Sequence, residues 1–222
     1  MTPLDARWAL PPGLSAVLLE TPDADPDALA PAERARSDAF AHPARRRQFV
    51  LGRTAARTLL ARRLGLDACD VALDVGPDGA PETPGLGVSI AHTGRGNATA
   101  ALAAVADGPV GVDLERVGPR RPDLWTRILR PDEHGLLDAW GGPTDSTQTL
   151  LWTLKEAVLK AQRTGFRAAA RSVRLAARPG APAGGPPPHG RAEADSELGA
   201  WEVAFGREGG LWLAVAWPRK AP

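Results

Sequence analysis

Helical and strand-like patterns follow each other twice along this 222-residue chain, with helices before strands each time. The clearest helix is predicted at residues 44–64, where Phe49, Ala56 and Leu60 recur at helical spacing. Gly65 follows at the position where a glycine commonly caps a helix. Blocks of helices alternating with blocks of strands are typical of α+β proteins, so the chain is predicted to belong to the α+β fold class.

The repeated order predicts two α+β halves, at residues 1–109 and 110–222, that meet near residue 110. Residues 178–191 are rich in proline and glycine and are predicted to form a mobile loop. Helical spacing indicates further helices at residues 26–41, 122–140 and 145–163. Alternating apolar residues indicate strands at residues 71–75, 86–90, 99–105 and 109–114, and a closing hairpin at 201–217.

The composition is that of a folded, soluble protein, with a formal net charge of only +1. A nearly neutral chain gives no global reason to expect nucleic-acid or membrane binding. No segment approaches the ~20 apolar residues that a membrane helix needs, and residues 1–13 lack the apolar run of a signal peptide. The single cysteine, Cys69, cannot build a disulfide framework. We therefore expect a cytoplasmic protein.

The first candidate motif is GVDLE, at residues 111–115. In a strand, Asp113 and Glu115 lie on one face with their Cα atoms roughly 7 Å apart. Two carboxylates so placed repel each other unless a cation neutralises them, and Mg²⁺ prefers one or two carboxylates together with phosphate oxygens and water. The alternative is an ordinary solvated edge with two acidic residues.

The second candidate motif is LLWTLKEAVLKA, at residues 150–161. Glu156 and Lys160 are four residues apart and share a helix face, while Lys155 lies about 100° away from Glu156 around the helix. The chain has three lysines among 27 basic residues, and two of them lie in this segment, which suggests a local need for ammonium groups. The alternative is a surface ion pair worth only ~0.3–0.5 kcal/mol.

The third candidate motif is SIAHTGRGN, at residues 89–97, which follows a strand-like run and turns at Gly94 and Gly96. The backbone amides of such a turn can hold phosphate oxygens. His92 could add a further donor, although a lone histidine can equally be structural.

The fourth candidate is the arginine-rich face of the helix at residues 44–64, which contains no acidic residue. Seven mutually repelling guanidinium groups would be stabilised by a bound anion, and guanidinium groups suit phosphates. Binding to nucleic acid and a simple solvated face are the alternatives, but the patch lacks interleaved aromatic residues. The seven residues are Arg45, Arg46, Arg47, Arg53, Arg57, Arg62 and Arg63.

Together these motifs provide carboxylates, lysines, a glycine turn with a histidine and an arginine cluster, which suit a magnesium-bound diphosphate and a second phosphate. In this order they resemble the Sfp-type 4′-phosphopantetheinyl transferase family. GVDLE and WTLKEAVLK resemble its two signature stretches, about forty residues apart. PAERARSDAF, RRRQFVLGR and SIAHTG resemble its upstream stretches.

The resemblance implies two similar α+β halves related by a pseudo-twofold axis, with coenzyme A bound in the cleft between them, in a chain that works as a monomer. It implies catalytic roles for Asp113, Glu156 and Lys160 and magnesium ligation by Asp113, Glu115 and Glu156. The first half would contact the coenzyme A phosphates, and the second half would hold the metal and the catalytic motifs. The coenzyme A contacts implied are Arg36, Arg47, Arg53, His92, Thr93, Asp113, Glu156 and Lys160.

Three positions depart from the family pattern and put phosphate contacts in doubt. Ala80 stands where the family often has lysine, and Ala91 stands where a serine commonly precedes the histidine. Glu33 occupies another position that is often basic. Arg95 and neighbouring arginines could substitute for the missing contacts.

The resemblance implies magnesium-dependent transfer of the phosphopantetheine arm from coenzyme A to a serine of an acyl, peptidyl or aryl carrier protein, as in fatty acid or secondary metabolite biosynthesis. The losses at Ala80 and Ala91 leave open a degenerate member that binds coenzyme A or a carrier protein without transfer. A dinucleotide-dependent oxidoreductase is a further alternative, because Gly94 and Gly96 follow a strand and Asp113 comes 19 residues after Gly94.

Overall fold

The computed structural model describes residues 1–95, 98–119, 122–164, 169–177 and 186–220. It divides into two compact units, Met1–Pro109 and Val110–Pro222. Each unit packs a long helix against an antiparallel sheet. The predicted α+β fold class is therefore confirmed.

The first unit has a four-stranded sheet in the order β1-β2-β6-β5, in which all neighbours are antiparallel. A separate two-stranded sheet pairs β3 with β4. Its strands are β1 (Thr2–Pro3), β2 (Leu14–Glu20), β3 (Asp74–Val75), β4 (Pro81–Glu82), β5 (Gly87–Arg95) and β6 (Ala98–Ala106). Its helices are α1 (Pro31–Asp38) and α2 (Pro43–Leu64), with short 3-10 turns at Thr21–Asp23, Pro26–Ala28 and Ala68–Asp70.

Helix α2 forms the core of the first unit and matches the prediction for residues 44–64. Pro43 occupies its first turn, where a missing N–H costs nothing, and Gly65 ends it with a left-handed φ of 67°. Leu51, Ala55 and Leu60 face the sheet and are buried against residues of β2 and β6. The apolar stripe therefore fixes which side of α2 remains available for its arginines.

The second unit has a five-stranded antiparallel sheet in the order β7-β11-β10-β9-β8, with α5 packed on one face. The two units share a pairing pattern. In the first unit the last strand, β6, pairs with β2 and with β5; in the second, the last strand, β11, pairs with β7 and with β10. In each unit the long helix follows the first of these three strands in sequence. The elements are β7 (Gly111–Arg116), α3 (Pro122–Ile128), α4 (His134–Ala139), α5 (Asp145–Ala161), β8 (Arg174–Ala177), β9 (His189–Ser196), β10 (Gly199–Glu208) and β11 (Leu211–Pro218).

Several element boundaries differ from the sequence-based expectations. Strand β2 was not predicted, because LSAVLLE is apolar on both faces and lacks the alternation that marks a half-buried strand. The predicted strand at residues 71–75 is reduced to Asp74–Val75. The predicted helix at 122–140 is broken at Pro131, which starts a 3-10 turn between α3 and α4.

The closing hairpin is confirmed: β10 and β11 pair in register and are joined by Gly209 and Gly210, both with positive φ. The predicted mobile loop at residues 178–191 is wrong at its C-terminal end, because His189–Arg191 pair with β10 at the start of β9. Residues 178–185 lie outside the described part of the chain. Within the described ranges, no helix combines the length and the hydropathy needed to cross a membrane.

Gly111, the first residue of GVDLE, allows β7 to lie directly against α5. A Cβ atom at this position would overlap the backbone of α5 at Ala157 and Ala161. Backbone atoms cannot move aside as the end of a flexible side chain can, so the glycine is required by the close approach of strand and helix.

We expect Gly111→Ala to lower the free energy of unfolding by about 2–3 kcal/mol, because the added methyl group forces α5 away from β7. Chemical denaturation monitored by tryptophan fluorescence would measure the change. Gly118→Ala is the matched control, because a Cβ there has no neighbour within 4 Å, and it should change stability by less than about 1 kcal/mol. Equal effects of the two substitutions would contradict this account of Gly111.

Candidate functional site

Strand β7 and helix α5 bring the two signature motifs of the sequence into contact. Lys160 Nζ donates a hydrogen bond of 2.7 Å to Asp113 Oδ1. Trp152 Nε1 donates one of 3.0 Å to Glu115 Oε1. Asp113 and Glu115 therefore both point from β7 towards α5, as their alternation along the strand requires. Trp152, four residues before Glu156 on α5, therefore also reaches these carboxylates.

Glu156 shares the electrostatic environment of these carboxylates. Burial and, to a smaller extent, the charges of Asp113 and Glu115 raise the pKa of Glu156 to about 7, against the opposing charge of Lys160. Burial also raises the pKa of Asp113, again opposed by Lys160. Asp113, Glu115 and Glu156 with Lys160 will be called the acidic cluster. Within the cluster, three carboxyl groups face a single ammonium group, so acidic groups outnumber cations.

A hard divalent cation suits the acidic cluster. Asp113 Oδ2 is buried and has no hydrogen-bond partner among the described residues, and a buried carboxylate oxygen left unpaired is costly. Within the same described ranges, no three His, Cys, Asp or Glu side chains form a complete metal-binding set. Mg²⁺ commonly takes one or two carboxylates and fills its other positions with water or phosphate oxygens, so the donor set fits that ion.

Lys155 has a separate, structural role beside the acidic cluster. Its side chain is fully buried, and Nζ donates to Glu133 Oε2 at 2.7 Å and to the Ile128 carbonyl at 2.8 Å. Glu133 also accepts from Leu175 N at 2.9 Å, which ties β8 to the 3-10 turn before α4. Sequence analysis did not identify Glu133 as the partner of Lys155. The four-residue spacing of Lys155 from buried Leu151 was the signal that this lysine lies on the apolar face.

The first unit contains a basic cleft of ≈ 470 Å³, which will be called the arginine cleft. Of the predicted phosphate contacts, Arg36, Arg53 and His92 line it, whereas Arg47 and Thr93 are not among its described lining residues. Arg36 and Arg53 lie over the ring of Phe49, with Cζ-to-centroid distances of 5.4 and 5.6 Å. Arg45, one of the seven arginines that the sequence singled out, also lines the cleft. The sequence assigned no ligand contact to the remaining lining residues, which are Phe40, Gln48, Phe49, Gly52, Val75, Gly79, Pro81 and Ile90.

The expectation that the arginines of α2 lack acidic partners is wrong, because other elements supply the acids. At least four of the seven arginines form ion pairs of this kind with other described residues. The pairs are Arg46–Asp38, Arg53–Glu33, Arg57–Glu33 and Arg63–Asp107. Arg57 is therefore part of the core, and Arg53 alone of these four lines the arginine cleft.

The dinucleotide-binding alternative is contradicted by the topology around Gly94. Strand β5 runs through Gly94 to Arg95 and pairs with the following strand β6 in an antiparallel hairpin. A dinucleotide fingerprint requires the glycine turn to open a helix whose N-terminus faces the pyrophosphate. Gly96 lies outside the described residues.

The first α+β unit has an arginine cleft and the second has an acidic cluster. Both features are typical of proteins that bind phosphorylated ligands. A model of the 4′-phosphopantetheinyl transferase N-terminal domain matches residues 32–106, and the model of the 4′-phosphopantetheinyl transferase superfamily matches residues 109–202. The chain belongs to the 4′-phosphopantetheinyl transferase superfamily, a family of transferase enzymes.

Three curated relatives carry the same family description. A 4′-phosphopantetheinyl transferase of Bacillus subtilis is 29% identical over 60% of this chain and 60% of its own length. HetI of Nostoc is 32% identical over 68% of this chain and 66% of its own length. Sfp of Bacillus subtilis is 24% identical over 62% of each chain. The matched region thus spans less than two thirds of each of these relatives.

The raised pKa of Glu156 predicts how the stability of the metal-free protein depends on pH. Because the folded pKa of about 7 exceeds the ordinary value of 4.5, the folded state binds more protons between these values. The free energy of unfolding therefore falls as pH rises through this window. We expect Glu156→Gln to stabilise the metal-free protein at pH 8 by on the order of 1 kcal/mol, after allowance for solvent screening.

At pH 5 the same substitution should have little effect, because a protonated glutamate and a glutamine are both neutral. Urea unfolding in EDTA at the two pH values would measure the difference. Glu197→Gln, at an exposed turn between β9 and β10, is the control and should show no such pH dependence. A loss of stability at pH 8 in Glu156→Gln would refute the assigned electrostatic environment.

The two lysines of α5 should respond differently to the same substitution. Lys155→Met leaves the fully buried Glu133 carboxylate without its cation and should cost about 3–5 kcal/mol of unfolding free energy. Lys160 keeps 34% of its side chain exposed, so water can reach its surroundings, and Lys160→Met should cost only about 1–2 kcal/mol. Thermal and chemical denaturation would rank them, and a larger loss in Lys160→Met would contradict this division.

Proposed function

We propose that this protein transfers the 4′-phosphopantetheine arm of coenzyme A to a serine of an apo carrier protein. The reaction depends on Mg²⁺ and releases adenosine 3′,5′-bisphosphate. The observation that carries the proposal is the contact between the two signature motifs, in which Lys160 pairs with Asp113 beside Glu156 and Glu115. Membership of the superfamily and relatives described as 4′-phosphopantetheinyl transferases support the same reaction.

The arginine cleft suits the nucleotide end of coenzyme A. Guanidinium groups bind phosphate oxygens through several parallel donors, and Arg36, Arg45 and Arg53 all line the cleft. His92 adds a polar side chain at the strand β5 wall. Phe40 and Phe49 offer apolar surface of the kind on which a nucleotide base can pack.

The acidic cluster suits the diphosphate. Asp113, whose Oδ2 is unpaired among the described residues, together with Glu115 or Glu156 would hold Mg²⁺, which when bound supplies positive charge to the diphosphate oxygens. Lys160 is the cluster's own cation, and its partly exposed ammonium group can donate to a diphosphate oxygen as well as to Asp113. Phosphoryl transfer needs mainly positioning and charge neutralisation, which are the two properties that this group of side chains provides.

In the proposed reaction the carrier serine oxygen forms a bond to the phosphorus that bears the pantetheine arm. The bond from that phosphorus to the leaving adenosine 3′,5′-bisphosphate breaks, and the serine proton passes to a base. Glu156 is the proposed base, directly or through water, because its carboxylate belongs to the acidic cluster beside Asp113 and Lys160, where the diphosphate is proposed to bind. The alternative role for Glu156 is metal ligation alone.

The carrier protein is proposed as the second substrate, of an acyl, peptidyl or aryl type. Carrier proteins are in general acidic helical domains, and exposed arginines of the first unit give the complementary charge. Arg45 and Arg46 are exposed in the first turns of α2 and are the strongest candidates for this contact.

The direct test is intact-protein mass spectrometry of an apo carrier protein incubated with this protein, coenzyme A and Mg²⁺. We expect a gain of one phosphopantetheine group that is lost in EDTA and in Asp113→Ala. Glu156→Gln should reduce transfer at neutral pH at least tenfold if Glu156 is the base, and near-normal transfer would rule out that role.

The same experiment distinguishes the remaining alternative. Binding of coenzyme A without any mass gain, across carriers from several pathways, would indicate the degenerate binder suggested by Ala80 and Ala91. If the protein neither binds coenzyme A nor transfers the arm, the proposed function is refuted. Asp195→Asn, which removes an acid from the edge region of the sheet at β9, is the matched control and should leave transfer unchanged.

A further inference from the structure

Glu33 places a carboxylate among the arginines at the edge of the arginine cleft. Its Oε2 accepts hydrogen bonds from Arg57 Nε at 2.5 Å and from the Ala30 backbone N–H at 3.2 Å. Its Oε1 faces Arg53, with 3.3 Å between Oε1 and Arg53 Nη1. The two oxygens therefore have different tasks: one anchors the carboxylate and the other faces a cation.

The anchoring side of this arrangement is rigid. Arg57 has only 1% of its side chain exposed, and its Nη1 also donates to the carbonyls of Ala68 and Val71 at 2.7 and 3.0 Å. Helix α1, helix α2 and the 3-10 turn after α2 are thus joined through one guanidinium group. Glu33 cannot turn away from Arg53 without breaking these buried bonds.

The other side of this arrangement is Arg53, which lies between Glu33 and the cleft. Arg53 has 9% of its side chain exposed, lines the arginine cleft and lies over Phe49. Its Nη1 is buried without a hydrogen-bond partner among the described residues. Burial lowers the pKa of Arg53, Glu33 opposes that effect, and Arg57 and Arg36 reinforce it. Arg53 therefore faces the Glu33 carboxylate on one side and borders the cleft on the other, where a guanidinium group can bind an anionic ligand.

We propose that Glu33 is a positioning residue of the arginine cleft. Its anchored carboxylate holds Arg53 in place against the repulsion of Arg36 and Arg57, so that Arg53 can bind a phosphate of the coenzyme A nucleotide. The identity of that phosphate rests on the proposed function. The carboxylate thus acts through Arg53 at a position where the family pattern led us to expect a basic residue in direct contact with phosphate.

The test measures the affinity of the full-length protein for adenosine 3′,5′-bisphosphate and for coenzyme A by isothermal titration calorimetry. We expect Glu33→Gln, which keeps the shape and removes the charge, to weaken both about tenfold. The KM for coenzyme A should rise by a similar factor while kcat changes less than twofold, because the reacting atoms are untouched. Glu33→Asp keeps the charge and should restore part of the affinity.

A double-mutant cycle separates positioning from a general loss of structure. Glu33→Gln should weaken binding in the parent protein but have little further effect in Arg53→Met, because Glu33 acts through Arg53. Asp38→Asn is the matched control: it removes an acid from the same helix that pairs with exposed Arg46, outside the cleft lining, and should leave affinity and kcat unchanged.

Each contrary result has a definite meaning. Unchanged affinity in Glu33→Gln with a lower melting temperature would show a purely structural ion pair, and tighter binding would show that Glu33 competes with the ligand; either overturns the proposal. If Glu33→Gln does not fold, unchanged affinity in Arg53→Met overturns it, because Glu33 is proposed to act through Arg53. Absence of bisphosphate binding in the parent overturns the ligand assignment, whereas binding that depends on Glu33 without any transfer overturns only the proposed function.

Discussion

The close packing of α5 on β7 is the constraint on which the acidic cluster depends. Because Gly111 has no side chain, the backbone of α5 at Ala157 lies against the strand. At this separation Lys160 on the helix can reach Asp113 on the strand with a single bond of 2.7 Å. The buried pair of Lys155 with Glu133 then fixes the rotation of the helix about its axis. Glu156, the next residue, is thereby directed towards β7.

The two candidate sites are electrostatically incomplete in opposite senses, each within its own unit. The acidic cluster has more carboxylates than cations; burial, together with these neighbouring charges, raises the pKa of Glu156, and Asp113 Oδ2 is unpaired among the described residues. The arginine cleft has three guanidinium groups, those of Arg36, Arg45 and Arg53, and no acidic side chain among its described lining residues. Such sites lower the stability of the ligand-free protein, and a ligand that binds only the folded state restores it.

Sequence reasoning predicted the elements whose signals are local. Helix α2 with its Gly65 cap and the β10–β11 hairpin follow from periodicity and glycine positions, and Asp113 and Glu115 share a face because strands alternate. Glu33 and Glu133 could not be assigned in this way. Their roles depend on partners 24 and 22 residues away in sequence, Arg57 and Lys155, and only the packing of helices brings each acid to its base.

The distribution of lysine and arginine in this chain follows from the space available around each cation. Lys155 lies in a fully buried site with two acceptors, Glu133 Oε2 and the Ile128 carbonyl. An arginine there would bring five donors into that site and leave several of them buried and unpaired, at a cost of about 1–3 kcal/mol each. At Arg57 the acceptors are spread over Glu33, Ala68 and Val71, which suits the wide guanidinium fork. At position 155, where the buried acceptors are few and close together, a chain dominated by arginine therefore retains a lysine.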